Sequence, residues 1–103
     1  MKPNEIDLAV MAGRVYVGRP NGIAARAHFR LDKLESEDSY PITISFPENA
    51  KTLASSFFLG MLGESVRAAG SREKFLIRFK FNANKQIMRE IEVGITEALT
   101  AGS

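Results

Sequence analysis

A short strand that leads into a strongly apolar helix is the feature that most constrains the fold of this chain. Alternating apolar residues predict a strand over Ile42–Phe46, and a turn then precedes a helix that runs to about Ala68. Two serines, Ser55 and Ser56, stand at the start of that helix. Because free backbone N–H groups gather at a helix N-terminus, hydroxyls placed there are a common way to build a phosphate or partner site. The two serines are therefore the first candidates for a functional site.

Length and composition place residues 1–103 in one domain with a modest core. The 14 basic and 12 acidic residues nearly balance, so the net charge of +2 does not by itself indicate a nucleic-acid partner. The absence of cysteine excludes disulfides and thiolate chemistry. The N-terminal sequence lacks the apolar run of a signal peptide, and the longest apolar stretch is too short to cross a bilayer. These features predict a cytoplasmic protein with no membrane partner.

The first half of the chain is predicted to form a hairpin and one helix. Alternation indicates strands at Ile6–Val10 and Val15–Val17, joined by a tight turn at Met11–Arg14. A breaker cluster at Gly18–Gly22 precedes a helix, and an acidic loop at Glu35–Ser39 leads to the strand described above. The predicted apolar side of this helix consists of Ile23, Ala27, Leu31 and Leu34, and its basic residues Arg26, Arg30 and Lys33 lie away from that side.

The second half is predicted to form two long helices around a fourth strand. Gly70 is expected to cap the apolar helix, because glycine suits the left-handed conformation found there. The stretch Lys74–Phe81 alternates and indicates a strand, and Asn82 or Asn84 then caps a final helix. The inner side of that helix consists of Ile87, Ile91, Ile95 and Leu99. The predicted fold class is α/β, in the order β-β-α-β-α-β-α, with three helices packed on a mixed four-stranded sheet.

This order of elements, with Ser55-Ser56 at the turn from strand to helix, resembles the STAS domain of anti-sigma factor antagonists. It resembles more closely the STAS-like family of unknown function. The pieces that carry the resemblance are the Gly18-Arg19 turn with its Ala/Arg-rich helix, the strand Ile42–Phe46, the Ser55-Ser56-Phe57 motif with its apolar helix, and the last strand and helix through Ile95–Leu99. The resemblance covers the chain from about Val15 to Leu99 and implies a single STAS-like domain.

The resemblance implies a regulatory module rather than an enzyme. In the antagonists, a partner with the histidine-kinase-like ATPase fold phosphorylates one serine of an Asp-Ser-Ser-Gly-type motif, and the unphosphorylated form binds that partner. By this resemblance Ser56 is the candidate phosphoacceptor. Ala54 stands where the antagonists have Asp, and Phe57 where they have Gly, so retention of the phosphorylation switch is left open. The predicted partner-binding residues are Arg19, Ser55, Ser56, Phe57 and Phe58.

The serines also have a purely structural interpretation. Ser and Thr hydroxyls commonly accept hydrogen bonds from the orphan N–H groups of a helix, which predicts a cap by Thr52 or Ser55. A phosphoserine at Ser56 would be favoured by the helix dipole and would repel a partner that contacts the neighbouring apolar residues. Both interpretations are compatible with the sequence.

The apolar residues after the serines are mostly expected in the core. Phe57, Phe58, Met61 and Leu62 cover an arc too wide to face one sheet. At least one of them is therefore predicted to be exposed or to lie in an interface.

Two other functional classes remain open. A nucleic-acid-associated accessory protein would use a basic surface made of Arg14, Arg19, Arg26 and Arg30, although the adjacent acidic loop partly cancels its field and makes nucleic acid the less favoured partner. A homodimeric structural module would pair through an edge strand or the Phe-rich helix.

No cofactor, metal ion or catalytic residue is predicted. His28 is the only histidine, and no cluster of metal ligands accompanies it in the sequence. No serine lies in a nucleophile-elbow motif. His28 is expected on the surface or at a helix flank.

Overall fold

Five helices and five short strands make up the part of the chain that the computed structural model describes, residues 4–11 and 15–100. In chain order they are β1 (Glu5–Asp7), β2 (Val15–Tyr16), α1 (Arg19–His28), α2 (Leu31–Ser36), β3 (Ile42–Ser45), β4 (Thr52–Leu53), α3 (Ser55–Ala69), α4 (Arg72–Arg78), β5 (Phe79–Asn82) and α5 (Lys85–Thr100). A turn of 3-10 helix, Leu8–Val10, follows β1. The α/β class is confirmed, whereas the predicted mixed sheet of four strands with three helices is wrong, because the strands form two sheets whose described pairs are all parallel.

The main sheet has three strands in the order β1-β3-β5, and both of its strand pairs are parallel. Its register sets Ile6, Ile44 and Phe81 side by side, on the face that packs into the core. Because side chains alternate along a strand, Thr43 and Ser45 point to the opposite face and are only half-buried. One face of the sheet thus contributes to the core, and no helix or strand of residues 4–11 and 15–100 covers the other, which is called the open face below.

A second, two-stranded sheet joins β2 and β4, again in parallel. Tyr16 of β2 is buried, with its ring edge-on to the rings of Phe46 and Phe57. Its hydroxyl donates to the Leu8 carbonyl oxygen at 3.4 Å. Burial, followed by the nearby charge of Asp7, raises the pKa of the Tyr16 phenol. This aromatic cluster connects the small sheet to the first turn of α3.

The predicted hairpin between the first two strands is wrong. β1 and β2 each pair in parallel with a different strand, β3 and β4 respectively. The first strand also ends early, because the Asp7 carboxylate accepts from the backbone N–H of Ala9 at 2.9 Å and starts the 3-10 turn. Of the predicted turn at Met11–Arg14, residues 12–14 lie outside the described residues.

The helix layer is built around α3, which packs against α1 on one side and α5 on the other. At the α1–α3 contact, a Cβ added at Gly22 would collide with the Phe57 carbonyl oxygen, and one added at Gly60 would collide with the Arg19 carbonyl oxygen. At the α3–α5 contact, Gly94 leaves room for the Phe58 ring. Glycine at these three positions lets the helices approach more closely than any other residue would allow.

The prediction that part of the Phe-rich segment is exposed is wrong. The side chains of Phe57, Phe58, Met61 and Leu62 are all buried. The prediction considered burial against one sheet only. In the folded domain α3 also lies between two helices, so only a narrow stripe that includes Ser56, Glu64 and Ala68 stays exposed.

The first helix differs from its prediction in length and in its buried face. It begins at Arg19, inside the predicted breaker cluster, because proline is tolerated in a first helical turn. It ends at His28, and the left-handed conformation of Arg30 (φ 55°) separates it from α2. The buried side of α1 is instead the side that carries Gly22 and Ala25. Ile23 is 53% exposed and Ala27 is exposed, in contrast to the prediction.

Only residues 79–81 of the predicted strand Lys74–Phe81 are a strand. Ser71 accepts from the backbone N–H of Lys74 at 3.2 Å and caps α4, which occupies residues 74–78 of that stretch. Phe75 is buried and stacks on Phe79 with ring centroids 4.9 Å apart, whereas Ile77 is 68% exposed. The alternating pattern therefore predicted a strand over residues that form α4.

The two helix ends predicted in the second half are confirmed. Gly70 caps α3 with φ 88°, and its backbone N–H donates to the Val66 carbonyl oxygen. Asn84 precedes α5 and accepts from the backbone N–H of Ile87 at 2.8 Å. The predicted inner side of α5 is buried at Ile87, Ile91 and Ile95 and partly buried at Leu99.

Candidate functional site

Ser55 and Ser56 are the first two residues of α3, and neither caps it. The N-cap position is held by Ala54, and no side chain accepts a capping hydrogen bond there. Thr52, the other predicted cap, is part of β4. The predicted cap by Thr52 or Ser55 is therefore wrong. Ser55 is half-buried, whereas Ser56 is exposed.

The Ser56 hydroxyl makes a contact with the start of another helix. Its Oγ accepts from the backbone N–H of Gly18 at 3.1 Å. Gly18 is the N-cap of α1 and has φ 91°, in the region that favours glycine. The segment before α1 is thus held against the first turn of α3, across 38 residues of sequence.

The N-termini of α1 and α3 lie together because the two helices run side by side in the same direction. Gly18 meets Ser56 at their starts, and further along Arg26 reaches the Met61 carbonyl oxygen. Neither N-cap residue provides a side-chain acceptor. Both helices therefore begin here with backbone N–H groups that have no intrahelical partner. The positive ends of the two helix dipoles converge near the Ser56 hydroxyl.

Arg19 is exposed at the first position of α1, one residue beyond the N–H group that Ser56 binds. None of the ion pairs found in residues 4–11 and 15–100 involves Arg19. The structure thus brings three of the predicted partner-binding residues, Arg19, Ser55 and Ser56, to one end of the helix pair.

The other two predicted partner-binding residues lie beneath that end. Phe57 and Phe58 are each only 2% exposed. Phe57 contacts the Tyr16 ring, and Phe58 lies edge-on to Phe75 with centroids 6.4 Å apart. Both rings pack the first turn of α3 onto the core, and neither presents a surface in the folded monomer.

A buried polar cluster around Arg26 was missed in the sequence. The Arg26 side chain is 12% exposed and pairs with Glu35 at 2.8 Å and with the exposed Asp32 at 2.7 Å. The guanidinium also donates to the Met61 carbonyl oxygen and to Ser65, whose hydroxyl donates in turn to Glu35. Burial acts to lower the pKa of Arg26, but the hydrogen bonds to the two carboxylates outweigh it and raise the pKa.

Tyr40 and Arg78 complete this cluster. The Tyr40 hydroxyl donates to Glu35 at 3.3 Å, and the Arg78 guanidinium lies 5.5 Å from the centre of the Tyr40 ring. Burial, together with the negative charge of Glu35, raises the pKa of the Tyr40 phenol. Every buried side-chain polar atom in the described part of the chain has a hydrogen-bond partner. The cluster is therefore internally satisfied and connects α1, α2 and α3.

One sequence signal pointed to this cluster. Ser65 lies on the otherwise apolar side of α3 and is 1% exposed, and a buried hydroxyl requires a partner. The prediction that Arg26 lies away from the buried side of its helix is wrong, because α1 packs on α3 through the side that carries Gly22 and Arg26.

The basic surface considered for nucleic acid is reduced by this arrangement. Arg26 forms ion pairs with Asp32 and Glu35, and Arg14 lies outside the described residues. Arg19 and Arg30 are exposed at opposite ends of α1, about 15 Å apart for a helix of this length. Two separated arginines do not form a continuous track for phosphates.

Residues 4–11 and 15–100 contain neither a metal-binding cluster nor a membrane-spanning helix. These described residues hold no group of three His, Cys, Asp or Glu side chains that could bind a metal ion. His28 is exposed, with its ring edge-on to Phe29. Within the same ranges, no helix has both the length and the apolar character needed to cross a membrane.

Comparison of the chain with protein-family models, with curated proteins and with solved structures finds no match. The functional conclusion therefore depends on the geometry around Ser56 and on the order of motifs in the sequence.

Proposed function

We propose that this protein is a non-enzymatic, STAS-like regulatory module that binds a protein partner and is switched by phosphorylation of Ser56. The observation that carries the proposal is the exposed Ser56 hydroxyl at the joined N-termini of α1 and α3. By its resemblance to anti-sigma factor antagonists, the partner is an ATPase of the histidine-kinase-like fold. This partner would transfer the γ-phosphoryl group of ATP to Ser56 Oγ, releasing ADP and the hydroxyl proton.

The surroundings of Ser56 suit the phosphorylated product. A phosphoserine carries a charge of about −1.5 to −2 at neutral pH. Two helix N-termini next to it supply backbone N–H donors and favourable dipoles, and the Gly18 N–H is already within hydrogen-bond distance of Oγ. Arg19, exposed beside it, supplies a full positive charge. These groups would stabilise the modified state without a change of fold.

Phosphorylation would weaken partner binding at the same place. The unmodified surface offers the partner a neutral hydroxyl, an arginine and two positive helix ends. The phosphate would occupy these donors and add negative charge, so a partner that contacts Arg19 through acidic groups would lose its attraction and be repelled. The switch would then act by charge at the contact, not by rearrangement of the core.

The substitutions in the serine motif are compatible with this scheme. Ala54 takes the N-cap position, so the carboxylate that the antagonists carry there is replaced by a methyl group and the N–H groups of α3 stay free for a phosphate. Phe57 packs against Tyr16 and fixes the first helical turn, where a glycine would leave it more mobile. Recognition by the kinase would then depend on Gly18 and Arg19 instead of on an aspartate.

The test is a pull-down from host lysate with Mg-ATP, followed by intact-mass measurement of the bait. The baits are the wild-type chain, Ser56→Ala and, as a matched control, Ser55→Ala, which removes the neighbouring, half-buried hydroxyl. We expect a histidine-kinase-like ATPase with the wild-type bait and a gain of one phosphoryl group that only Ser56→Ala abolishes. Recovery of nucleic acid with no ATPase would overturn the proposal. Capture of the ATPase without the mass gain would support the partner-binding function and contradict the phosphorylation switch.

A further inference from the structure

The open face of the main sheet carries opposite charges on its two outer strands. The register places two rows of side chains across this face: Glu5, Thr43 and Lys80 in one row, and Asp7, Ser45 and Asn82 in the other. The residues on the outer strands are exposed, and those on the central strand β3 are half-buried. Within the described ranges, no ion pair involves an acid of β1 or the lysine of β5.

We propose that this face binds the same face of a second copy of the chain, around a two-fold axis parallel to β3. Two sheets that pack face to face lie about 10 Å apart, with their strands roughly aligned. Rotation about this axis sets β1 of each copy over β5 of the other. Glu5 of one copy then faces Lys80 of the second copy, and symmetry makes this pair twice.

The remaining side chains of the face fit the same arrangement. Asp7 of one copy faces Asn82 of the other, so a carboxylate meets an amide donor. The Asn82 amide uses one of its two N–H groups on Ser45 of its own chain, at 3.1 Å, and the second is free to cross the interface. Thr43 and Ser45 lie on the axis, where each hydroxyl meets its own copy and can both donate and accept.

The charge distribution also excludes the alternative two-fold arrangement. An axis perpendicular to the strands would place β1 over β1 and β5 over β5. The carboxylates of β1 would then oppose carboxylates of the second copy, and Lys80 would face either the Asn82 amide or the Lys80 of that copy, with no acid opposite it. Like charges placed opposite each other disfavour a complex, so the face selects one geometry by attraction and rejects the other by repulsion.

The interface is expected to be weak and sensitive to salt. The face consists of two rows of three polar or charged side chains, whereas a standard stable interface has about 20–30 residues a side. Its main apolar contribution is Val10, which is 66% exposed and lines a shallow depression of about 480 Å³ on this face. The proposal does not depend on the proposed function, because Ser56 belongs to the helix layer and stays accessible.

Sedimentation equilibrium of the full chain at low ionic strength, up to millimolar concentration, tests the proposal. We expect a monomer–dimer equilibrium whose dissociation constant rises about tenfold or more in Glu5→Lys and in Lys80→Glu. An equimolar mixture of the two variants should recover dimerisation. In the mixed dimer, the lysine introduced at position 5 faces the glutamate introduced at position 80, and the native Glu5 and Lys80 face each other.

Glu73→Lys and Lys74→Glu are the matched controls, because they make the same changes of net charge on exposed positions of α4. They should leave the dissociation constant unchanged, and thermal melts should show that all four variants fold. A wild-type chain that stays monomeric over the whole range would overturn the proposal. So would a dimer insensitive to both face variants, or face variants that fail to recover when mixed.

Discussion

Replacing Gly60 with alanine tests the close packing of α1 against α3. A methyl group at this position would collide with the Arg19 carbonyl oxygen and would lie 3.1 Å from both the Arg19 carbonyl carbon and the Ile23 nitrogen. All three are backbone atoms, so no side-chain rotation can relieve the contact. The two helices must move apart to accept the methyl group.

Two opposing effects set the size of the change. In an unconstrained helix interior, alanine stabilises relative to glycine by up to about 1 kcal/mol. Overpacking of a close contact costs about 1–3 kcal/mol. Separation of the helices also weakens bonds that depend on their spacing, such as Arg26 to the Met61 carbonyl oxygen at 2.8 Å, by about 1 kcal/mol. The expected net effect of Gly60→Ala is a loss of about 1–3 kcal/mol in the free energy of unfolding.

Gly63→Ala is the matched control, in the same helix three residues further on. A methyl group there would lie 3.4 Å from the end of the Arg67 side chain and 3.6 Å from a Leu59 methyl carbon, which are ordinary contacts with flexible groups. Only the gain in helix propensity remains, so this variant is expected to be stabilised by up to about 1 kcal/mol. The same chemical change is thus predicted to have opposite signs at two neighbouring positions.

Urea unfolding at constant temperature measures both variants, with thermal melts as a second readout. For a domain of this size, each kcal/mol shifts Tm by about 4–8 °C. The two midpoints should fall on opposite sides of the wild-type value. If Gly60→Ala is as stable as Gly63→Ala, the helices are not in backbone contact and the argument fails.

Three further predictions follow from particular contacts. Arg26→Met should lower the free energy of unfolding by about 3 kcal/mol in urea titrations, because it leaves the mostly buried Glu35 carboxylate and the buried Ser65 hydroxyl without the guanidinium. Arg30→Met on the exposed surface should change it by less than about 0.5 kcal/mol, and equal effects of the two variants would contradict the Arg26 cluster. A hydrogen bond from Arg72 lowers the pKa of Glu92. The stability that this pair provides is therefore fully present above the pKa that Glu92 has in the unfolded chain, and it is lost as the pH falls through the lower pKa that Glu92 has in the folded protein. Arg72→Ala should therefore raise the pKa of Glu92 towards its ordinary value in an NMR titration, and an unchanged pKa would exclude the pair in solution. Asn84→Ala should cost about 1 kcal/mol or somewhat more in the same urea assay, because it removes the cap of α5 and two hydrogen bonds to the loop between β3 and β4; wild-type stability would contradict this.

Elements governed by neighbouring residues were predictable. α5 follows from an apolar period of four residues behind an asparagine cap, and the end of α3 follows from Gly70. Both signals act within a few residues of chain. The strand predicted at Lys74–Phe81 is wrong over residues 74–78, because the spacing of Phe75 and Phe79 suits a helix as well as a strand, and the cap at Ser71 favours the helix.

The candidate site was predicted in part. The placement of Ser55 and Ser56 at a helix start follows from the strand, turn and apolar run that surround them. The burial of Phe57 and Phe58 could not be predicted from this apolar segment. It depends on α1 and α5, which come from distant parts of the chain and pack against α3. The second helix N-terminus at Gly18 is likewise 38 residues away from Ser56.

By itself, the sequence determined the α/β class, the central strand, the apolar helix after it and the capped final helix. These depend on periodicity and capping, which are local. Only the tertiary structure decided the partners of each strand, the buried face of α1 and the burial of Arg26 between α1 and α3. Those outcomes depend on contacts between residues tens of positions apart, such as Gly22 with Phe57 and Arg26 with Ser65. A single glycine or arginine in the sequence does not reveal which distant backbone or hydroxyl it will meet.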